Sequence, residues 1–154
     1  MRLPFFLLFV FVAIVAHAED IQGLVIPYKQ VTVSSPVLQD ILAEVYVEEG
    51  DVVKQGQPLA KLMCDKEELE VQQYAKLIER RQFEANGMEE LLKEKMTSKD
   101  AALEKQTDLE LAKIQHKLAL SRLNEKTIRA PLSGIVVKKY KEAGEGADKT
   151  EKLF

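Results

Sequence analysis

Hydrophobic and polar positions divide this chain into four stretches of different rhythm. Residues 3–15 form an apolar run, LPFFLLFVFVAIV. From 21 to 63, short β-rich segments (LVIPY, VTVSS, ILAEVYV, LAKLM) alternate with turn signals at Ser35-Pro36, Gly50-Asp51 and Gly56-Gln57-Pro58, which predicts strands. From Lys66 to Thr127 proline vanishes, Gly87 is the only glycine, and Glu, Lys, Leu, Ala and Gln dominate, the composition of long helices. Ile128-Arg129-Ala130-Pro131 stops the helical zone, and GIVVKKY resumes strand character.

Within the helical zone, Asp65 with Glu68 three residues later predicts a capped helix start. Val71, Tyr74, Ile78, Arg81, Ala85, Met88 and Leu92 then follow a 3-4 spacing, widened by Leu77 and Leu91, so that one seam is apolar apart from Arg81. Thr97 with Asp100 predicts a second start. Beyond it Leu111, Ile114 and Leu118 continue one seam, and Leu109, Ala112, His116, Ala119 and Leu123 lie along an adjacent one. Asn86-Gly87 is a competing turn signal, but a turn there would leave arms of unequal length and much of the longer stripe in water. The expectation is an antiparallel pair of arms, 66–96 and 99–126, each roughly 45 Å long at ~1.5 Å per residue. Gly87 then lies inside the first arm at a cost of ~1 kcal/mol relative to alanine.

The β segments on either side of these helices repeat one another. At one constant offset Ile41 meets Ile135, Tyr46 meets Tyr140, Glu48 meets Glu142, Gly50 meets Gly144 and Leu59 meets Leu153; one residue of slippage also aligns Ser35-Pro36 with Ala130-Pro131. Neither copy has enough strands to bury its own apolar face, so the two are expected to close into one small sandwich with the helices doubling back between them. Pro36, Gly50, Gly56, Pro131, Gly134 and Gly144 are the candidate structural turns. Asp40 and Thr150 occupy places where the opposite copies keep Gly134 and Gly56.

Composition narrows the function classes. Met1-Arg2, the apolar run and Ala16-His17-Ala18 read as an export signal cleaved after Ala18, an uncleaved anchor being the alternative, since a span needs about 20 apolar residues. Removing it takes away Arg2 and moves the net charge of the 154-residue chain from −3 to −4, which argues against nucleic acid. The single cysteine, Cys64, can form no internal disulfide and reads as a small buried hydrophobe. His116 reads as a packing residue, because no second His, Cys or carboxylate set accompanies it. No nucleophilic triad, paired metal ligands or phosphate-cradling loop is present, so no enzyme, metal or cofactor is expected.

The order of parts carries a resemblance. SSPV leading to VEEGDVVKQGQPLAKL, then a helical hairpin, then TIRAPLSGIV resembles the periplasmic adaptor family, also called membrane fusion or HlyD-like proteins, over about Gly23 to Phe154. The resemblance implies an α+β fold, a split biotinyl/lipoyl-like β-sandwich interrupted by an antiparallel coiled-coil hairpin. It divides the chain into a leader (1–18), an N-terminal strand and first half (19–64), the hairpin (65–127) and an incomplete second half (128–154), without the β-barrel and membrane-proximal domains that usually follow. Residues 21–30 are similar to the strand that enters that barrel. The implied role is a periplasmic, oligomeric, non-enzymatic subunit linking an inner-membrane transporter to an outer-membrane channel for efflux or secretion. Efflux-type adaptors carry Arg, Leu and Ser at the hairpin tip; here Leu91 and Ser98 stand at matching positions, with Gly87 in place of the arginine. Leu91, Thr97, Ser98 and Lys99 are the candidate partner contacts. Two alternatives are a lipoyl or biotinyl carrier modified on Lys66, which lacks the expected tripeptide, and a coiled-coil holdase.

Overall fold

The computed structural model describes residues 29–154; the export signal, its cleavage after Ala18 and the strand read from residue 21 lie outside them. Eight elements follow in order: β1 (Asp40–Val45), β2 (Val52–Val53), β3 (Pro58–Leu62), α1 (Asp65–Lys93), α2 (Lys99–Glu125), β4 (Thr127–Arg129), β5 (Gly134–Ile135) and β6 (Gly146–Ala147). One antiparallel sheet has the order β4-β3-β1-β6, and a second ribbon pairs β2 with β5. This is the α+β split sandwich that the repeat implies.

The two copies are woven through each other by a repeated pattern of bonds. Val52 and Val53 of the first copy pair with Ile135 and Gly134 of the second, and their mates Gly146 and Ala147 pair with Ile41 and Asp40. Gly50 N–H donates to Val136 O (2.8 Å) as Gly144 N–H donates to Leu42 O (2.7 Å), and Val136 and Leu42 return bonds to Asp51 O and Glu145 O (both 2.9 Å). Tyr46 N–H reaches Leu59 O (2.8 Å) as Tyr140 N–H reaches Leu153 O (3.0 Å). Even the one-residue slippage is kept: Pro58 faces Arg129, and its mate Lys152 faces Ser34.

The glycines at these turns have a physical reason. Gly50, Gly56 and Gly144 sit at φ of 93°, 81° and 91°, the left-handed region that side chains rarely adopt. In both copies an acidic side chain finishes the turn, Asp51 accepting from Glu48 N–H (2.8 Å) and Glu145 from Glu142 N–H (2.6 Å). Gly134 differs from the reading as a turn residue: it is a strand residue of β5 without positive φ, and a Cβ there would meet the Leu132 side chain at 3.3 Å. Pro36 and Pro131 stand at bends.

The core lies between the copies as two clusters. Leu42, Ala60, Leu62, Ile128, Ala147 and Leu153 form one, Val47, Val53, Leu59, Ala130 and Val136 the other, and Val33 and Phe154 pack against both. Burial of this apolar surface is what joins residues far apart in sequence. Strand character is sparser than the sequence suggests. VTVSS contributes one isolated bridge at Ser34, and GIVVKKY is a strand only at Gly134–Ile135. Val136 and Tyr140 instead bond to a turn and to Leu153, and so follow no ladder.

A candidate docking surface on the helical hairpin

Two helices leave the sandwich at adjacent points. β3 passes into α1 through Met63 and Cys64, and α2 passes into β4 through Lys126. Leu62 N–H donates across this root to Lys126 O at 2.8 Å. The start of α1 corrects the expected cap: Asp65 is already helical, Cys64 holds the N-cap position without a side-chain cap bond, and Glu68 accepts from Cys64 Sγ (3.1 Å). Glu68 also pairs with Lys61 (3.3 Å). Cys64 is buried, and burial, with Glu68 adding to it, pushes its thiol up from its ordinary value, away from the reactive thiolate form.

Charge pairs bridge the two arms in their antiparallel register: Glu67 with Lys126 just past the end of α2 (3.0 Å), Glu70 with Arg122 (2.6 Å) and Arg81 with Asp108 (3.3 Å). Arg81, the one polar member of the α1 seam, is thereby explained. It bonds Glu84 as well (2.8 Å), and this bond, followed by that from Arg80, holds the Glu84 carboxyl below its ordinary value. Only four hairpin side chains are fully buried among those described: Ala85, Leu109, Ala112 and Ala119.

At the tip α1 ends at Lys93, and Glu94–Ser98 turn the chain. Lys95 N–H donates to Leu92 O (3.0 Å) and Met96 N–H to Leu91 O (2.8 Å), with Lys95 at φ 60°. This is a Schellman stop with lysine where glycine is preferred. The second cap lies one residue beyond the expected Thr97: Ser98 Oγ accepts from Ala101 N–H at 3.2 Å. Of the candidate contacts, Leu91, Ser98 and Lys99 are exposed and Thr97 is half-buried. Lys66 is exposed in the first turn of α1, on a helix and not at a β-turn.

The stripes of α2 have separate fates. Leu109, Ala112 and Ala119 are 0–2% exposed, whereas Leu111, Ile114 and Leu118 are 54–55% exposed. The first set faces α1; the second is an apolar band open to solvent, accompanied on the hairpin by exposed Leu103, Leu69 and Phe83. Sequence reasoning marked both stripes as seams and missed that one is unpartnered. The available signal was size: the inner stripe holds the small residues that permit close helix approach, the outer one only large ones. Among the described residues no cluster of His, Cys, Asp and Glu is placed to hold a metal ion, and no helix is long and apolar enough to cross a membrane.

Comparison with known proteins agrees with this geometry. The family described as CzcB-like, barrel-sandwich hybrid domain matches residues 29–154. A search of the curated protein sequences returned no match. Among solved structures, a MacA-MexA chimera carrying the Pseudomonas aeruginosa MexA α-hairpin domain is 21% identical with a TM-score of 0.74, over 80% of this chain and 45% of that one. A putative efflux transporter from Bacteroides eggerthii is 20% identical with a TM-score of 0.61, over 85% of this chain and 47% of that one. MacA from Actinobacillus actinomycetemcomitans is 20% identical with a TM-score of 0.54, over 80% and 47%. The chain thus spans less than half the length of each of these three.

Proposed function

The chain belongs to the CzcB-like barrel-sandwich hybrid family, whose fold its solved neighbours among efflux proteins share, and from that premise we propose that it is an adaptor subunit working by helix packing. The sandwich fixes the root of a hairpin whose first helix, 29 residues long, projects about 44 Å. The exposed band of Leu111, Ile114 and Leu118 packs side by side with helices of sister copies, and the tip around Leu91, Thr97, Ser98 and Lys99 meets an outer-membrane channel, so that an inner-membrane transporter and the channel are joined across the periplasm for efflux or secretion. The observation that carries this reading is the contrast within α2, one stripe buried and the next half open, since exposed apolar bands mark partner surfaces. Nothing in it requires a catalytic group. The exposed helical position of Lys66 gives no support to a carrier role.

Photocrosslinking amino acids at Ile114 and at Lys99, introduced one at a time in cells, test the two contacts. Capture of a sister subunit from Ile114 and of a channel from Lys99 is expected. Capture of neither would reject the bridging role.

A further inference from the structure

The root of the hairpin contains a charge cluster that neither the repeat nor the docking surface explains. Lys126 is the single residue between α2 and β4, and its ammonium reaches Asp40 at the start of β1 (2.6 Å) and Glu67 in the first turn of α1 (3.0 Å). The three side chains are only 14%, 14% and 21% exposed. One cation therefore ties three elements, two of the stalk and one of the sandwich. Asp40 is also the position whose repeat mate is Gly134; the carboxylate replaces a glycine where the second copy has no such lysine to hold. The other pairs near the root do less. Arg122 with Glu70 joins α2 only to α1, and Lys61 with Glu68 is 36% and 47% exposed, where solvent leaves an ion pair little strength.

Few backbone bonds hold the stalk's root: Leu62 N–H to Lys126 O (2.8 Å) links β3 to the end of α2, and Met63 N–H to Ile41 O (2.9 Å) links the α1 connection to β1. The three charged side chains themselves form part of the wall of an open cleft of about 550 Å³, together with Leu38, Gln39 and Met63. The hairpin has room to tilt toward that side. Small tilts matter because the arm is long: about 10° at the root displaces the tip by about 8 Å on an arm of about 44 Å.

The geometry points to Lys126 as a latch that sets the angle of the hairpin on the sandwich through Asp40 and Glu67. While it is closed the tip is held in one place; opening it frees the stalk to swing over the cleft without unfolding either part. The inference concerns the angle only and does not depend on which partners the hairpin meets.

Dipolar spin-label spectroscopy on the full chain tests it, with nitroxides on Lys54→Cys in the sandwich and Glu90→Cys on α1 in a Cys64→Ser background. The unlatched variants are Lys126→Met and the neutral triple Asp40→Asn, Glu67→Gln, Lys126→Met, which keeps the shape and leaves no unpaired charge. The distance distribution is expected to widen at least twofold in both, at unchanged helical circular dichroism, and to stay narrow in Lys126→Arg. Lys61→Met is expected to leave it narrow. An unchanged width in either folded unlatched variant, or equal widening by Lys61→Met, overturns the latch. Loss of helical signal in both unlatched variants overturns it too, since the cluster would then support the fold and not the angle.

Discussion

The sandwich and the hairpin are held together by different means. In the sandwich, eleven buried side chains from the two copies interlock in two clusters. In the hairpin, full burial among the described residues is confined to three alanines and Leu109, and ion pairs bridge the two arms. The sandwich thus builds a core of its own, although Leu38, Val52, Ile135 and Val137 on its outside are 63–77% exposed. The hairpin buries little, and among the described residues its Leu111, Ile114 and Leu118 form a band that stays more than half exposed along one helix. The difference separates residues that specify structure from residues free to serve contact, and mutations should divide along the same line.

The largest effect belongs to the sandwich. Leu62 is 0% exposed in the first cluster, so Leu62→Ala is expected to lower unfolding free energy by about 3 kcal/mol through lost transfer energy and a residual cavity. Chemical denaturation monitored by circular dichroism measures it. A loss below about 1 kcal/mol would mean that the sandwich is not the more tightly packed region.

Next comes the junction between the regions. Lys126→Met removes the partner of two carboxylates that are themselves 14% and 21% exposed and should cost about 2 kcal/mol. Burial pulls the Lys126 ammonium down, but the hydrogen bonds and charges of Asp40 and Glu67 outweigh it, and its pKa is raised above the ordinary 10.5. A lysine raised on folding stabilises fully below its unfolded value and loses that contribution as pH climbs through its folded one. The stability gap between wild type and variant is therefore expected to be flat across neutral pH and to shrink in alkali above 10.5. A gap that changes near neutrality would assign the effect to other groups.

Within the sandwich, the two copies can be set against each other. Gly50 and Gly144 have φ of 93° and 91°, and a Cβ at either would meet nothing within 4 Å. Gly50→Ala and Gly144→Ala should each cost about 1–2 kcal/mol from backbone strain alone, and by nearly equal amounts. Costs differing by more than about 1 kcal/mol would break the equivalence of the copies. In the hairpin the same reasoning runs in the other direction. Gly87 is helical with open space around it, and Lys95 occupies a left-handed position, so Gly87→Ala and Lys95→Gly should each stabilise by about 1 kcal/mol, read as a rise in thermal midpoint.

What could be read from the sequence follows from how each feature is encoded. The repeat was legible because the same turn imposes glycine at 50 and at 144, an acidic side chain after it, and a leucine at 59 and at 153 whose carbonyl accepts from the paired tyrosine. The hairpin was legible because its arms are long enough for periodicity to accumulate. Strands of two residues, such as β2, β5 and β6, carry no period at all. The positive φ of Lys95 and Gln39 was hidden because no glycine announces it; at the tip the pattern is enforced by the helix end and its following bonds. The cluster at Lys126 was invisible for another reason: Asp40 and Lys126 are brought together only by closure of the sandwich.

The smallest effect on stability is also the one most informative about function. Leu111, Ile114 and Leu118 are each at least 54% exposed, so replacing all three by glutamine removes little buried area and should change unfolding free energy by less than about 0.5 kcal/mol per site. Glutamine keeps the helix, since its intrinsic preference is close to that of leucine. If the band is a contact surface, a photocrosslinker placed at Lys117, an exposed neighbour on the same helix, captures a sister subunit in the otherwise unchanged chain and loses that capture in the triple variant, while a matched change at the inner stripe, Leu109→Gln, should unfold the hairpin instead. A triple variant that loses stability but keeps the crosslink would reverse the assignment of the two stripes, leaving the outer one as packing and the proposed contact surface to be sought elsewhere.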